Sequence, residues 1–359
     1  MISLLIFIIV LSVLIVVHEW GHFIAARKLG ICVETFSIGF GPKLFSKNIG
    51  GTDFVVSAIP LGGYVKLLGD DRSECKGLAE EFYSHSVWHR AVVIAMGPIV
   101  NFVFAYLCFV FLFSVTGYPI FDNHVGEVMP GYPAYSAGFR AGDRVVRIDD
   151  RNIVKWVDLQ VAVSESEGRP LDFVVERDGR DMTIQDVVPT FESFGVEGET
   201  ERVPVVGLKP VLQKYGIGKS LVSAAKELWS VVAMTSEALY KVVTGAESAK
   251  DKLAGPIRIF DVVRDAAKMG FAYLVFIVAV ISTSLGFFNL FPIPILDGGH
   301  LFFLCIEGVR RRPLPIKVEE RCMQVGLSLL MCLMAFVLYN DIVQVGWADK
   351  VAQFFGRIF

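Results

Sequence analysis

Four apolar stretches govern what this chain can fold into. A bilayer crossing takes roughly 20 apolar residues, and residues 2–26, 91–117, 269–296 and 323–340 all meet or approach that length. Only Ser3 and Ser12 interrupt residues 2–17, Asn101 is the main polar residue in 91–117, and 269–296 carries no charge. With 53% hydrophobic residues in 359, the chain is too apolar for an ordinary soluble protein. The expected fold is therefore a polytopic α-helical membrane protein with about four transmembrane helices. The first stretch reads as a retained span rather than a cleaved leader. No Lys or Arg precedes Arg27, and His18-Glu19-Trp20-Gly21-His22, not a small-residue cleavage site, ends the apolar run.

Loop charges set an orientation. Residues 27–90 hold Arg27, Lys28, Lys43, Lys47, Lys66, Arg72, Lys76 and Arg90, and 309–322 hold Arg310, Arg311, Arg312, Lys317 and Arg321. Both segments are expected on the cytoplasmic side, with the termini and the charged region 119–268 outside. The six cysteines all fall in spans or cytoplasmic segments and none in 119–268, so that region needs no disulfide. No C-x-x-C motif occurs. The net charge of −3 is neutral on the question, but no basic patch interleaved with aromatics occurs, so no nucleic-acid partner is expected.

The segments between the spans have their own signatures. Over 35–68, β-prone runs at Phe36–Phe40, Phe54–Ile59 and Tyr64–Leu68 alternate with Gly and Pro. This predicts a hairpin-rich sheet, either dipping into the membrane face or capping it from the cytoplasm. Over 120–190, strands alternate with turns, Arg177-Asp178-Gly179-Arg180 signals a hairpin, and one amphipathic helix is expected near 156–166. The stretch Ser136-Ala137-Gly138-Phe139-Arg140-Ala141-Gly142-Asp143 and the residues after it resemble the segment before the central strand of PDZ domains, which bind peptide ends at a sheet edge. A helix is expected over 216–250, with Leu221, Ala224, Ala225, Leu228, Val231 and Val232 at helical spacing. The expected segments are 1–30 (first span), 31–90 (β sheet and loop), 91–117 (second span), 118–192 (PDZ) and 193–268 (β segment and amphipathic helix). After them come 269–303 (third span), 304–322 (basic loop), 323–345 (fourth span) and 346–359 (tail).

The chemistry concentrates in two motifs. His18 and His22 stand four apart, so on a helix both imidazoles share a face and can converge on one ion. Zinc accepts imidazole nitrogen, and Glu19 between them is placed to take a proton from a bound water rather than to ligate. Ionisable groups in a membrane helix are costly and point to function. A catalytic zinc needs a third protein ligand. Asp297, the only acid near the third span, follows Pro292 and Pro294 and precedes Gly298 and Gly299; His300 is the rival. Asn289 is a candidate for binding substrate backbone. Gly97 and Asn101 open the second span and read as a close helix contact, with substrate binding as the other use.

Together, His18–His22, the Asn289–His300 element, Gly97–Asn101 and the inserted PDZ-like region resemble the site-2 protease family, most of all the bacterial sigma-E-regulating intramembrane zinc proteases. That resemblance spans nearly the whole chain. It implies Zn2+ held by His18, His22 and Asp297, Glu19 as catalytic base, and Asn289 holding the substrate. It also implies a location in the bacterial inner membrane with the site near the cytoplasmic face. The implied substrates are single-span membrane proteins such as anti-sigma factors or remnant signal peptides, with the PDZ domain binding or excluding peptide segments. Well-known members carry two tandem PDZ domains, whereas 120–190 leaves room for one. A membrane-anchored PDZ scaffold, a secreted zinc protease and a transporter are the competing classes. The first leaves His18, Glu19, His22 and Asp297 unexplained, the second leaves three spans unexplained, and the third predicts an internal repeat that is not found.

Overall fold

The computed structural model describes residues 2–73, 75–194, 201–246 and 255–344. They form two compact units, one from Met1–Val110 with Leu221–Asp341, the other built on Phe111–Ser220.

The first unit is mainly helical. Helix α1 (Ile2–Lys28) follows from an unbroken run of Leu, Ile and Val and stops at Arg27 and Lys28, cations suited to a helix C-terminus. Helix α2 (Val87–Phe111) starts behind Ser86, whose hydroxyl accepts the His89 N–H at 3.2 Å, and continues into a π turn at Leu112–Thr116. Four helical stretches are long and apolar enough to cross a membrane: Ile2–Lys28, Val87–Thr116, Phe271–Asn289 and Ile316–Asp341. Their outward faces are apolar too, as at Leu4, Leu5, Ile9 and Val13 of α1 and Ile99, Val103 and Leu107 of α2. A helix apolar all round suits lipid rather than water.

The third stretch is shorter than the sequence suggests. Its helix ends at Asn289, because Pro292 and Pro294 cannot continue an α-helical ladder. The chain turns, with Ile295 at φ 91°, and a new helix starts at Asp297 and runs to Arg310. A β-branched residue at positive φ costs on the order of 1–3 kcal/mol, so the surrounding packing enforces this turn. Gly298 and Gly299 make it possible, since a Cβ on either would strike the carbonyls of Phe291 or Ile293.

The β element has two long strands, β1 (Val33–Ile49) and β2 (Thr52–Leu67). Residues 35–38 pair on one side with 63–66 and on the other with 53–56, while 43–49 pairs with 52–57. Among the described residues, 63–67 therefore forms one edge of the sheet. That edge lies on α1, where a Cβ at Gly63 would touch Ile15 and Glu19. The 43–49 arm is exposed, with Leu44, Phe45 and Ile49 facing outward.

An amphipathic helix covers Ile217–Val243 (α5); Ala224 and Val231 are buried, but Leu221 and Trp229 are exposed. Residues 247–250 of the helix expected over 216–250, and the tail 346–359, lie outside the described residues. A further helix, α6 (Pro256–Met269), has Pro at its first position and Gly270 after its last residue. Its N-terminal amides at Gly255, Ile257 and Arg258 donate to the fully buried Asp341 carboxylate near the end of the last helix. The helices named above as Phe271–Asn289, Asp297–Arg310 and Ile316–Gln344 are α7, α8 and α9.

A polar clamp ties α2 to α8 and α9. Arg90, 4% exposed, donates to both Glu307 oxygens at 2.6 and 3.1 Å. Arg72 reaches the Leu314 carbonyl and Glu319, and both guanidiniums lie about 5 Å from the Tyr83 ring centre. Burial, then the nearby Glu319, pushes the Tyr83 phenol up to about 12.

The second unit is a β domain with a core of Val125, Phe139, Val145, Ile148, Trp156, Leu159, Phe173 and Val175 among others. Five strands run in the order β10-β3-β4-β6-β7, with a short β5 (Arg151–Asn152) on β4. Here β3 is Tyr118–Val128, β4 Arg144–Ile148, β6 Leu171–Arg177, β7 Arg180–Val187 and β10 Leu208–Gln213. A separate hairpin joins β8 (Thr190–Phe194) and β9 (Glu201–Val205). Arg177 and Arg180 pair across a two-residue turn in which Asp178 and Gly179 take φ 54° and 75°, the double positive φ that Asp-Gly favours. Helix α3 is a single turn at Pro133–Ser136, and α4 (Trp156–Ser164) begins where Asp158 accepts the Val154 and Lys155 amides.

Candidate metal centre

The site forms where α1, α2 and α8 meet inside the first unit. Helix periodicity puts His18 and His22 on one face of α1, and the turn after Pro294 delivers Asp297 at the first position of α8. His18 Nε2 lies 3.1 Å from Asp297 Oδ2, His22 Nε2 3.6 Å from Asp297 Oδ1, and the two Nε2 atoms 3.3 Å apart. All the ligand atoms fall within 4.8 Å of one another. Three ligands on a tetrahedral ion, at the roughly 2.0–2.2 Å bonds of zinc to nitrogen and oxygen, are about 3.4 Å apart. The observed triangle, in which the two imidazoles face different oxygens of Asp297, has contacts of 3.1–3.6 Å, near that spacing. The buried Asp297 Oδ2 has no hydrogen-bond partner of acceptable geometry, which a cation would relieve. The donor set of two imidazoles and a carboxylate suits zinc, so the residues present fit such an ion.

Glu19 points to the same place without joining the triangle. It is coupled electrostatically to His22, His18 and Asp297 and stands near the backbone of Val65 on the β2 edge. His300 does not join either. It lines a small cavity with Tyr83, Arg90 and Glu307, while Asp297 is the residue grouped with the two imidazoles. Asn289 is the half-buried last residue of α7, and its amide makes no hydrogen bond to the described residues.

Gly97 and Asn101 lie against the two histidines of α1. Asn101 is fully buried, and its Nδ2 lies 3.2 Å from His18 Nδ1. A Cβ on Gly97 would collide with the His22 ring and approach His18 Cε1 at 2.8 Å. Neither position offers a surface to a substrate. Three residues escaped the sequence reading. Gly21 faces Met96, where a Cβ would strike the backbone carbonyl, so α1 and α2 cross in backbone contact. The Val93 carbonyl accepts His22 Nδ1–H at 2.9 Å. Ser282 of α7 donates to the Asn101 carbonyl at 2.9 Å. The available signal was spacing: Val93, Gly97 and Asn101 recur every four residues, as His18 and His22 do.

Comparison with known proteins gives a family. A family model described as peptidase family M50 matches residues 6–333. A Mesorhizobium japonicum protein named as a candidate zinc metalloprotease is 37% identical, covering 94% of this chain and 97% of its own length. The metalloprotease MmpA of Caulobacter vibrioides is 33% identical over 98% and 96% of the two chains. The regulator of sigma-E protease RseP of Escherichia coli is 30% identical over 93% and 97%. That last alignment runs for 445 positions against a chain of 359, so roughly a hundred positions of the relative lack a counterpart here.

Proposed function

The chain belongs to peptidase family M50, and we propose that it is a zinc endopeptidase cutting the membrane segments of single-span proteins at His18, His22 and Asp297. The observation that carries this is the cluster of His18, His22 and Asp297, with ligand atoms within 4.8 Å of one another, at the end of a helix apolar enough to span a membrane. Zinc bound there supplies Lewis acidity, acidifying a water and polarising the scissile carbonyl. Glu19 takes the proton from the attacking water and returns it to the leaving amine. His22 lies five residues before Arg27, about 7 Å along the axis, so the site sits near the basic, cytoplasmic end of α1. The contacts of Arg72 with Leu314 and of Arg90 with Glu307 join the two basic segments, which supports placing both on one side of an inner membrane.

A substrate helix hides its carbonyls in its own hydrogen bonds and must unwind before attack. The unpaired β2 edge beside Glu19 offers replacement partners by strand addition. The second unit, with its central β4 and flanking α4, supports a single PDZ domain that binds or screens peptide segments outside the membrane. The missing hundred positions relative to RseP fit one such domain rather than two. That relative's name, a regulator of sigma-E, supports a substrate that acts in sigma-factor control, such as an anti-sigma factor, with remnant signal peptides as another class.

The test is cleavage of a model single-span substrate in liposomes by wild type and Glu19→Gln, with zinc measured on both. Expected is full zinc on both proteins and a rate loss on the order of 10²–10⁴ for the variant. A variant that retains its rate removes Glu19 from the chemistry. A wild type without zinc removes the metal reading.

A further inference from the structure

We infer that Asn101 is a positioning residue that holds His18 in the tautomer able to ligate a metal, by accepting its Nδ1–H through the amide oxygen. This rests on the zinc reading above. Helix α2 presents a stripe of Val93, Gly97 and Asn101, one residue per turn, to the two histidines of α1. At one end the partner is unambiguous. The Val93 carbonyl can only accept, so His22 carries its proton on Nδ1 and turns the lone pair of Nε2 toward Asp297 and His18. In the middle, Gly97 has no side chain and both rings lie against the helix backbone.

At the other end the partner is a side chain that can either donate or accept. As placed, the Asn101 amide nitrogen faces His18 Nδ1 at 3.2 Å, and its oxygen is buried without a partner. Donation from the amide would put the His18 proton on Nε2, aimed into the cluster where a lone pair is needed. A half-turn of the amide exchanges nitrogen and oxygen. One amide atom stays unpaired in either orientation, so counting hydrogen bonds does not choose between them. Ligation does choose: only the oxygen-facing orientation leaves Nε2 free, and ligating histidines fix their orientation through such outer partners. Asn101 is well held for this task. It is fully buried, and Ser282 pins its backbone carbonyl from α7. The two ligands therefore differ in how they are set, His22 by backbone that no substitution removes and His18 by one replaceable amide.

The experiment uses the full-length protein in detergent, stripped of metal and titrated with zinc against a chelator. Cobalt(II) absorption reports the ligand geometry. Asn101→Leu keeps the volume and removes both polar atoms; its zinc affinity should fall by about 10–100-fold. Asn101→Asp accepts but cannot donate; it should stay within about threefold of wild type and keep the cobalt spectrum. Wild-type affinity in Asn101→Leu overturns the inference. So does Asn101→Asp as weak as Asn101→Leu, since a donor or mere packing is then what the position supplies. If Asn101→Leu does not fold, Asn101→Asp decides alone, because a carboxylate facing a His18 lone pair would expel zinc. A wild type that binds no zinc overturns the metal reading and this inference together, whatever the variants do.

Discussion

The two units bury opposite things. In the β domain, the interior is apolar and each buried polar group serves a local turn or strand. Asn123 donates to the Val145 and Ile153 carbonyls, and Asp143 binds Arg177. In the helical unit, many outward side chains of the spans are apolar, and the buried polar groups include Arg90, Asn101, Asp261, Ser282, Thr283 and Asp341. Water drives the first arrangement, because apolar area leaves solvent on folding. Among helices bathed in lipid that drive is absent, and close backbone approach with interhelical hydrogen bonds must fix the packing. The contrast says where each unit is vulnerable: the β domain in its volume, the helical unit in a few polar contacts and glycines.

The sharpest way to break this contrast is Gly97→Ala. One methyl group has no room between α2 and the two imidazoles. Zinc affinity should drop by about 100-fold, as when a supporting contact of a metal site is lost, and cleavage should go with it. Metal content after dialysis checks this. The same single-methyl change at an exposed β-domain glycine, Gly138→Ala, meets no atom within 4 Å but sits at φ 88°. It should cost only about 1 kcal/mol of local strain and leave zinc untouched.

Next in size is Arg90→Ala. It strands Glu307 beside Tyr83 without its cation, and removing one partner of a buried pair costs about 3–5 kcal/mol. Thermal unfolding followed by helical signal should shift accordingly, while hydrogen exchange in the β domain should not. The matching change in the other unit is Asp143→Asn, with a similar cost of about 3 kcal/mol confined to exchange of β4 and β6. Its pH dependence has a definite sign. Burial pushes the Asp143 carboxyl up, but hydrogen bonds from Arg177 and the Arg140 amide outweigh burial and leave it below the usual carboxylate range. The pair therefore stabilises the domain fully above the unfolded value near 4. That stability is lost as pH falls below it, so wild type and Asp143→Asn should converge under acid.

What the sequence made legible follows the same division. The spans, the His18–His22 pair and the Asp178-Gly179 turn could be read because each depends on local periodicity or on one residue's backbone preference. The apolar stretch 269–296 runs past its helix because hydropathy counts composition alone, whereas Pro292 and Pro294 mark the break before Asp297 directly. The β1 arm at Lys43–Ile49 was missed because Lys43, Ser46, Lys47 and Asn48 mask a strand that pairs only through its backbone. Helix α6 was missed although Pro256 and Gly270 frame it. The roles of Gly21, Val93 and Ser282 depend on which helices touch, and no single segment carries that information. Asn101 was noticed for its polarity, but its partner His18 is 83 positions away.

The smallest effect expected tests the contrast at its edge. Phe45 is 63% exposed on the β1 arm, beside Leu44 at 70%. By the logic of the β domain, an exposed apolar residue on a strand contributes little, and Phe45→Asp should change stability by under about 0.5 kcal/mol. By the logic of the helical unit, outward apolar side chains face lipid, and a carboxylate there loses its solvation on entering the bilayer. The two readings separate when the solvent is changed rather than the protein. In detergent, where water reaches the arm, the melting temperatures of wild type and Phe45→Asp should agree within about 2 °C. In liposomes, a variant that melts lower and cleaves a membrane segment more slowly places the arm in the membrane face. A variant that matches wild type in both settings makes the arm a cytoplasmic cap. In that case strand addition at the β2 edge must operate from the water side of the interface.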